Sequence, residues 1–373
     1  MNHPVRETAE FILPGHPDKL CDAVVDSIVD AVRRGDPEGQ CGLEAACVFD
    51  RIFLTGRIAA HREVLDRIDI DALAREAYAS AGYGVDAAGH AWGPLPQNLR
   101  IDTAFCWGAF EEGERELRHL SDDQAICIGY ANNQAETDHL PPAHWLARRI
   151  GRELHRLRRE QGAGQVGPDA KVVVRIERQG MHWQPVHVSI SLNHHEKSDW
   201  ILLRQLAEEA VETACIGKQM PDLVLNGAGM FVSGGPNGDN GLSGKKLVVD
   251  AYGPTVPIGG GAWSGKDFRK VDRIGGMLAR ELALSAVRES GAGEALVTLE
   301  YIPGCDAPVH VGVLLDGRPT ALDSIPVTLS IPRDNLGNWH RYVTADVPLV
   351  ELARWGHQQK GMPWEQHHCV APD

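Results

Sequence analysis

Glycines and charged residues are interspersed in the stretch from Leu225 to Arg273. Glycine lets backbone N–H groups come close to a ligand, and ammonium groups beside such N–H groups suit a polyphosphate. Carboxylates in the same stretch suit the magnesium that accompanies such a ligand. The lysines are Lys245, Lys246, Lys266 and Lys270, and the aspartates are Asp239, Asp250, Asp267 and Asp272. The stretch therefore predicts a polyphosphate site, and Gly-rich loops without a ligand are the alternative.

A second candidate lies where a short predicted strand, Thr8 to Leu13, leads into a helix. Pro17 fits the first helical turn, where its missing N–H costs nothing. His16, Asp18 and Lys19 then stand at a helix N-terminus, which favours an anionic ligand. The alternative is that Asp18 only complements the helix dipole.

The same helix has two faces. Apolar residues recur every four positions and predict the buried face: Leu20, Val24, Ile28 and Val32. Aspartates recur at the same interval and predict a solvated face: Asp22, Asp26 and Asp30.

Strand pairs followed by helices recur three times along the chain, which predicts an α+β fold with helices covering sheets. The predicted strands are 41–48, 52–58, 126–131, 171–177, 185–192, 296–301 and 309–314. The predicted helices are 64–79, 143–158, 200–215, 271–287 and a short one near 347–353. The segment 93–121 fits neither pattern, and a long loop of this kind is either a lid over a site or a solvated excursion.

Bulk composition narrows the class of protein. The 373 residues are 43% hydrophobic and 24% charged, as in a soluble globular protein of two or three domains. The net charge of −14 argues against a nucleic-acid partner, because such proteins present surplus positive charge. No apolar run is long enough for a signal peptide or a membrane span, so no membrane association is expected. The eight cysteines include no Cys-x-x-Cys pair and predict buried free thiols in a reducing cytoplasm.

One motif points to a different class of nucleotide site. The run from Gly260 to Lys266 has P-loop spacing, but Asp267 stands where a P-loop has Ser or Thr. A P-loop also follows a buried strand, whereas the segment from Pro254 to Ile258 contains two prolines. We therefore do not interpret the motif as a P-loop.

Taken together, the motifs resemble those of methionine adenosyltransferase, also called S-adenosylmethionine synthetase. They span nearly the whole chain in the order of that family. The matching runs are Gly15-His16-Pro17-Asp18-Lys19, Asp123-Gln124, Gly129-Tyr130-Ala131, Pro168-Asp169-Ala170-Lys171, Phe231-Val232 with Gly234-Gly235-Pro236, Gly238-Asp239, Gly244-Lys245-Lys246, Gly259 to Asp267, Lys270-Val271-Asp272-Arg273, Trp355-Gly356-His357 and Pro363-Trp364-Glu365.

The resemblance implies transfer of the adenosyl group of ATP to the sulfur of methionine, followed by cleavage of the released triphosphate. It implies two magnesium ions and a potassium ion. By resemblance, His16 stabilises the leaving oxygen, and Lys171, Lys245, Lys246, Lys266 and Lys270 hold the phosphates. Asp18 and Asp272 match magnesium ligands, and Glu44 matches a potassium ligand. The remaining implied contacts to ATP or the amino acid are Glu10, Pro17, Lys19, Arg57, Gln97, Ile101, Asp123, Asp169, Phe231 and Asp239.

The resemblance also implies three similar α+β domains and a dimer or tetramer with active sites at the subunit interface. We expect domain segments of 1–120, 121–233 and 234–373, with a lid at about 97–120.

Departures from the family pattern concentrate around the amino-acid substrate. Arg57 stands where the family has a glutamate for the methionine ammonium, and only Gln97 and Ile101 survive of the family's lid motif. Arg57 could bind an extra carboxylate on a modified substrate, or be balanced by Asp50 or Asp102. Two alternatives therefore stay open: a paralogue that uses another sulfur compound or hydrolyses ATP to triphosphate products, and a catalytically weak regulatory partner.

Overall fold

The computed structural model describes residues 4–321 and 346–365. Its strands are β1 (Val5–Ile12), β2 (Gln40–Val48), β3 (Arg51–Ala59), β4 (Gly84–Val85), β5 (Ala91–Trp92), β6 (Arg100–Gly108), β7 (Ala125–Asn132), β8 (Val166–Gln179), β9 (His182–His194), β10 (Asp222–Leu225), β11 (Gly241–Leu242), β12 (Glu294–Tyr301), β13 (His310–Leu315) and β14 (Arg318–Pro319). Its α-helices are α1 (Pro17–Gly35), α2 (Arg62–Leu65), α3 (Ile70–Ala81), α4 (Pro142–Glu160), α5 (Trp200–Ala214), α6 (Leu247–Asp250), α7 (Val271–Ser290) and α8 (Leu349–Trp355).

Three four-stranded sheets organise the described residues. The first has the strand order β1-β8-β9-β10, the second β11-β2-β3-β6 and the third β14-β13-β12-β7. Each sheet takes one strand from a distant part of the chain: β1, β11 and β7 respectively. No sheet is therefore built from one contiguous segment of the chain. The predicted domain boundaries stay predictions.

Helices cover one face of each sheet, as the α+β prediction required. Helices α4 and α5 pack on the first sheet and close one core with it. Helix α1 packs on the second sheet and α7 on the third, and these two layers share a second core. Within the described ranges, no helix is long and apolar enough to cross a membrane.

Most predicted elements are confirmed within one or a few residues, but two segments differ. The single helix predicted over 64–79 is two helices, α2 and α3, because Asp69 begins a new helix by accepting the N–H of Ala72 at 2.9 Å. The segment predicted to lack regular structure contains β6, which pairs in parallel with β3 at the sheet edge. Its side chains are all exposed or half-buried, so no clean alternation marked it as a strand.

Candidate functional site

The N-terminus of α1 follows β1 and lies against the first residues of β8. Gly15 is required there, because a Cβ would stand 2.3 Å from the carbonyl oxygen of Pro168. Pro17 is buried in the first turn, and the Nδ1 atom of His16 caps the helix by accepting the N–H of Asp18 at 3.2 Å. Since Nδ1 is an acceptor, the neutral ring carries its proton on Nε2. Burial, together with the nearby charges of Lys246 and Lys171, lowers the pKa of His16 to about 4, although Asp18 opposes this shift.

The aspartates of α1 hold the Gly-rich loops. The carboxylates of Asp18, Asp22 and Asp26 accept the N–H groups of Leu242, Gly244 and Gly265 at 2.9, 2.8 and 2.9 Å. Positions four apart lie on one face of a helix, so this face binds both halves of the Gly-rich stretch. The predicted solvated face is therefore wrong: Asp22 and Asp26 are 0% exposed and Asp30 is 7% exposed.

Lys19 belongs to the interior rather than to an open site. Its side chain is 1% exposed, and its ammonium contacts Asp22 at 3.1 Å and Asp250 at short range. Burial alone lowers the pKa of Lys19, but the two carboxylates outweigh it and raise the pKa above its ordinary value. The prediction that Lys19 contacts ATP stays a prediction, and in this structure its ammonium is enclosed by these carboxylates.

A first charged cluster surrounds Asp18, which is 1% exposed. The ammonium groups of Lys246 and Lys245 lie 3.6 and 3.7 Å from its two carboxylate oxygens. Lys171 on β8 contacts Glu10 on β1 at 2.6 Å, and Lys246 is 3.9 Å from the same carboxylate. Asp18 Oδ2 is buried and accepts no hydrogen bond from the described residues.

A second charged cluster lies at the start of α7. Lys266 contacts Asp272 at 2.5 Å, and Lys270 contacts Asp122. Gly261 lies so close to Asp272 that a Cβ would stand 2.0 Å from Oδ1. In the described part of the chain, no ion pair links this cluster to the first.

Asp169, predicted to contact ribose or amino acid, holds the loop that begins at Gly234. It is 6% exposed, and its Oδ2 accepts the N–H of Gly235 at 2.8 Å. Burial raises its pKa to about 7. Phe231 is half-buried in the segment before this loop, and Asp239 is exposed after it. The loop therefore leads from Phe231 to Asp239, and Asp169 of β8 holds it through Gly235.

Arg57 is balanced within the chain, but by neither predicted partner. Its guanidinium binds both carboxylate oxygens of Glu114 at 2.8 and 2.6 Å, and its Nη1 lies 3.2 Å from the sulfur of Cys106. The residues proposed from sequence pair elsewhere, Asp50 with Arg100 and Asp102 with Arg51. The arginine is thus not free to bind an extra substrate carboxylate unless Glu114 leaves.

The remaining predicted residues lie on exposed or half-buried surface. Gln97 and Asp123 are exposed, Ile101 is half-buried on β6, and Glu44 is exposed on β2. Glu44 lies opposite Thr55 of β3, on the sheet face turned away from α1. No group of three or more His, Cys, Asp or Glu side chains suited to a metal ion occurs in residues 4–321 and 346–365.

Comparison with protein-family models matches three models along the chain. The S-adenosylmethionine synthetase N-terminal domain matches residues 5–96, the central domain 119–231 and the C-terminal domain 233–327. Residues 97–118 fall between the first two matches.

Three curated proteins of similar sequence are each named S-adenosylmethionine synthase. The protein of Methylobacterium radiotolerans is 35% identical over 329 residues, which cover 84% of this chain and 81% of the relative. The protein of Petrotoga mobilis is 32% identical over 335 residues, which cover 84% of this chain and 82% of the relative. That of Deinococcus radiodurans is 32% identical over 348 residues, covering 85% and 83%.

Proposed function

The chain belongs to the S-adenosylmethionine synthetase family, and on that premise we propose that it transfers the adenosyl group of ATP to the sulfur of L-methionine. The sulfur attacks C5′ of ATP, the C5′–O bond breaks, and its electron pair leaves with the triphosphate oxygen. The product is S-adenosylmethionine. Water then cleaves the triphosphate to pyrophosphate and phosphate.

The first charged cluster carries this proposal. Lys171, Lys245 and Lys246 converge on Glu10 and Asp18 at the N-terminus of α1. Ammonium groups and a helix N-terminus both favour a polyanion. Because the departing triphosphate is strongly negative, cations held in place around it stabilise the charge that develops as the bond breaks.

His16 is suited to donate a hydrogen bond to the departing oxygen. Its Nδ1 is engaged by the Asp18 N–H, so the neutral ring offers Nε2–H. The lowered pKa keeps the ring neutral at physiological pH. The ring therefore acts as an oriented donor rather than as a cation.

The donor set fits magnesium bound mainly through phosphate oxygens. Asp18 offers a buried carboxylate oxygen without a hydrogen bond from the described residues, and Asp272 lies against Gly261 in the second cluster. Magnesium in phosphate sites commonly takes only one or two protein carboxylates. Two magnesium ions would be held by Asp18 and Asp272, and bound magnesium would neutralise triphosphate charge. Potassium at Glu44 stays a prediction, as does a cytoplasmic location.

We further propose a dimer, or a pair of dimers, with active sites between subunits. Both charged clusters bear candidate phosphate-binding lysines and a candidate metal ligand, yet no ion pair joins the two clusters within the described part of one chain. The second sheet also turns Phe53, 45% exposed, towards solvent on the face that carries Glu44. A second copy of the chain on that face would cover Phe53. It would also bring the first charged cluster of one subunit close to the second charged cluster of the other.

A product assay tests the activity directly. Purified protein is incubated with ATP, magnesium, potassium and methionine, and mass spectrometry follows S-adenosylmethionine, triphosphate, pyrophosphate and phosphate. S-adenosylmethionine should accumulate with equimolar use of ATP. Consumption of ATP without it would replace the proposal with an ATP hydrolase or with an enzyme for a different sulfur compound.

A further inference from the structure

The segment that follows α8 carries a fully buried histidine, His357. Its backbone carbonyl accepts the indole N–H of Trp364 at 2.8 Å, and Trp364 is also fully buried. The histidine therefore has a fixed place in the interior. It belongs to the run Trp355-Gly356-His357 singled out in the sequence, and the proposed reaction gives it no part.

One ring nitrogen of His357 lies against a buried cation. Nη2 of Arg273 is 3.0 Å from Nε2 of the histidine. A guanidinium can only donate, so Nε2 is the acceptor and the neutral ring carries its proton on Nδ1. Nδ1 has no hydrogen-bond partner among the described residues. Burial lowers the pKa of His357 well below its ordinary value, and the charges of Arg273 and Lys19 lower it further, so the ring stays neutral and able to accept.

The four terminal N–H groups of Arg273 are divided among three partners. Asp26 accepts two of them at 2.9 and 2.8 Å, and the carbonyl of Lys266 accepts one at 2.7 Å. His357 accepts the fourth. Because a guanidinium is planar and rigid, each of these contacts helps to fix the direction of the others. The contact with His357 therefore orients the group that holds the backbone of Lys266.

The ring of His357 also packs on the loop that precedes Lys266. Its centroid lies 4.8 Å from that of Trp263, and the two ring planes are 69° apart. Aromatic rings favour such an edge-on arrangement. The carbonyl of Trp263 in turn accepts the N–H of Lys266 at 3.3 Å. His357 is thus connected to Lys266 by two routes, through Arg273 and through Trp263.

We propose that His357 is a positioning residue for Lys266, holding the loop so that the lysine ammonium faces the bound triphosphate. The ammonium lies 2.5 Å from Asp272, the candidate magnesium ligand that precedes Arg273 in the chain. A shift of Arg273 would therefore move both the lysine and the neighbouring carboxylate. The inference rests on the proposed function, since that function makes Lys266 a phosphate-binding residue.

Two substitutions at His357 test the acceptor. Glutamine places its amide oxygen near the position of Nε2, whereas the asparagine oxygen reaches only the position of Nδ1. We expect His357→Asn to weaken binding of a non-hydrolysable imido analogue of triphosphate, with magnesium, by about tenfold. His357→Gln should bind within about threefold of wild type. Calorimetry measures the affinities, and His144→Asn, at a histidine of α4 that is 1% exposed, should leave the affinity unchanged.

A double-mutant cycle separates positioning from a general loss of structure. In Lys266→Ala the ammonium that His357 positions is gone, so adding His357→Asn should weaken binding further by less than about twofold. In Lys245→Ala the missing lysine belongs to the first charged cluster, so His357→Asn should keep its effect of about tenfold. Equal effects in the two backgrounds would overturn the inference, because His357 would then not act through Lys266.

The inference and the proposed function can fail separately, since the triphosphate analogue carries no adenosyl group. If the wild-type enzyme forms S-adenosylmethionine but His357→Asn binds the analogue as tightly as wild type, only the inference is rejected. If no S-adenosylmethionine forms but the coupling between His357 and Lys266 is found, only the proposed function is rejected. A wild-type enzyme that does not bind the analogue also rejects the inference, because Lys266 then holds no phosphate.

Discussion

The carboxylate of Asp26 and the guanidinium of Arg273 form a two-fold ion pair, with N–O distances of 2.9 and 2.8 Å. Both side chains are 0% exposed. Arg273 also donates to the carbonyl of Lys266 at 2.7 Å, and Asp26 accepts the N–H of Gly265 at 2.9 Å. A single buried pair thus joins α1 to α7 and fixes the loop from which Lys266 extends.

Removing one partner of this pair should strongly destabilise the protein. Asp26→Asn leaves the guanidinium of Arg273 buried with its main counter-charge gone, and breaking a buried pair costs about 3–5 kcal/mol. Urea unfolding should show this loss in the free energy of unfolding. Glu208→Gln is the control, because it breaks an exposed pair with Arg204 on α5 and should cost less than about 1 kcal/mol. If Asp26→Asn lowered the free energy of unfolding by less than about 1 kcal/mol, the role assigned to the pair would be contradicted.

Substitution of His16 should slow the reaction more than it weakens ATP binding. His16→Asn cannot place the imidazole Nε2–H, and loss of one donor to a developing oxyanion costs about 10²–10³ in kcat. Such a donor acts mainly in the transition state, so the KM for ATP should change little. His182→Asn, at an exposed histidine of β9, is the matched control. Steady-state kinetics decide the point: a kcat within about threefold of wild type would remove His16 from the mechanism.

Much of the fold was predictable because buried strands and amphipathic helices leave local patterns. The apolar face of α1, the hairpin of β2 and β3, and α7 were each found from spacing alone. The aspartates of α1 were misread for a physical reason. An aspartate every four residues indicates a solvated face unless partners elsewhere neutralise it, and the partners Gly244, Gly265 and Arg273 lie more than 200 residues away.

The candidate site was predictable to a similar degree. The lysines and His16 stood out because several unusual residue types coincided near glycines. The partner of Arg57 could not be predicted. Glu114 follows a segment without regular alternation of polar and apolar residues, and the pairing of β6 with β3 is what brings it close to Arg57. A four-residue spacing of Asp18, Asp22 and Asp26 ahead of Gly-rich loops was the one signal that could have revealed the loop-binding face.

The negative charge of Asp86 should stabilise the folded protein at neutral pH, and this stabilisation should be lost in acid. Burial alone raises the pKa of Asp86, but four N–H donors outweigh it and lower the pKa to about 2: those of Trp92, Gly164, His90 and Ala88. A lowered pKa in the folded state stabilises the protein above the unfolded value of about 3.9. That contribution is lost as the pH falls through about 2. In urea unfolding, wild type should exceed Asp86→Asn in stability at pH 6, and the difference should shrink between about pH 4 and pH 2. A difference that stays constant over this range would show that the Asp86 charge contributes nothing.

Substitution by alanine should impair activity strongly at Gly261 and only slightly at the adjacent Gly260. A Cβ at Gly261 would stand 2.0 Å from Asp272 Oδ1, whereas a Cβ at Gly260 meets no described atom within 4 Å. Gly261→Ala must therefore displace Asp272 or the loop, and a shift of about 1 Å in a catalytic group can cost about 100-fold in rate. We expect kcat/KM for ATP to fall by about that factor in Gly261→Ala and by less than about threefold in Gly260→Ala. Thermal melting of both variants supplies the check on folding. Equal activities in two folded variants would mean that the position of Asp272 against the Gly-rich loop does not matter for the reaction.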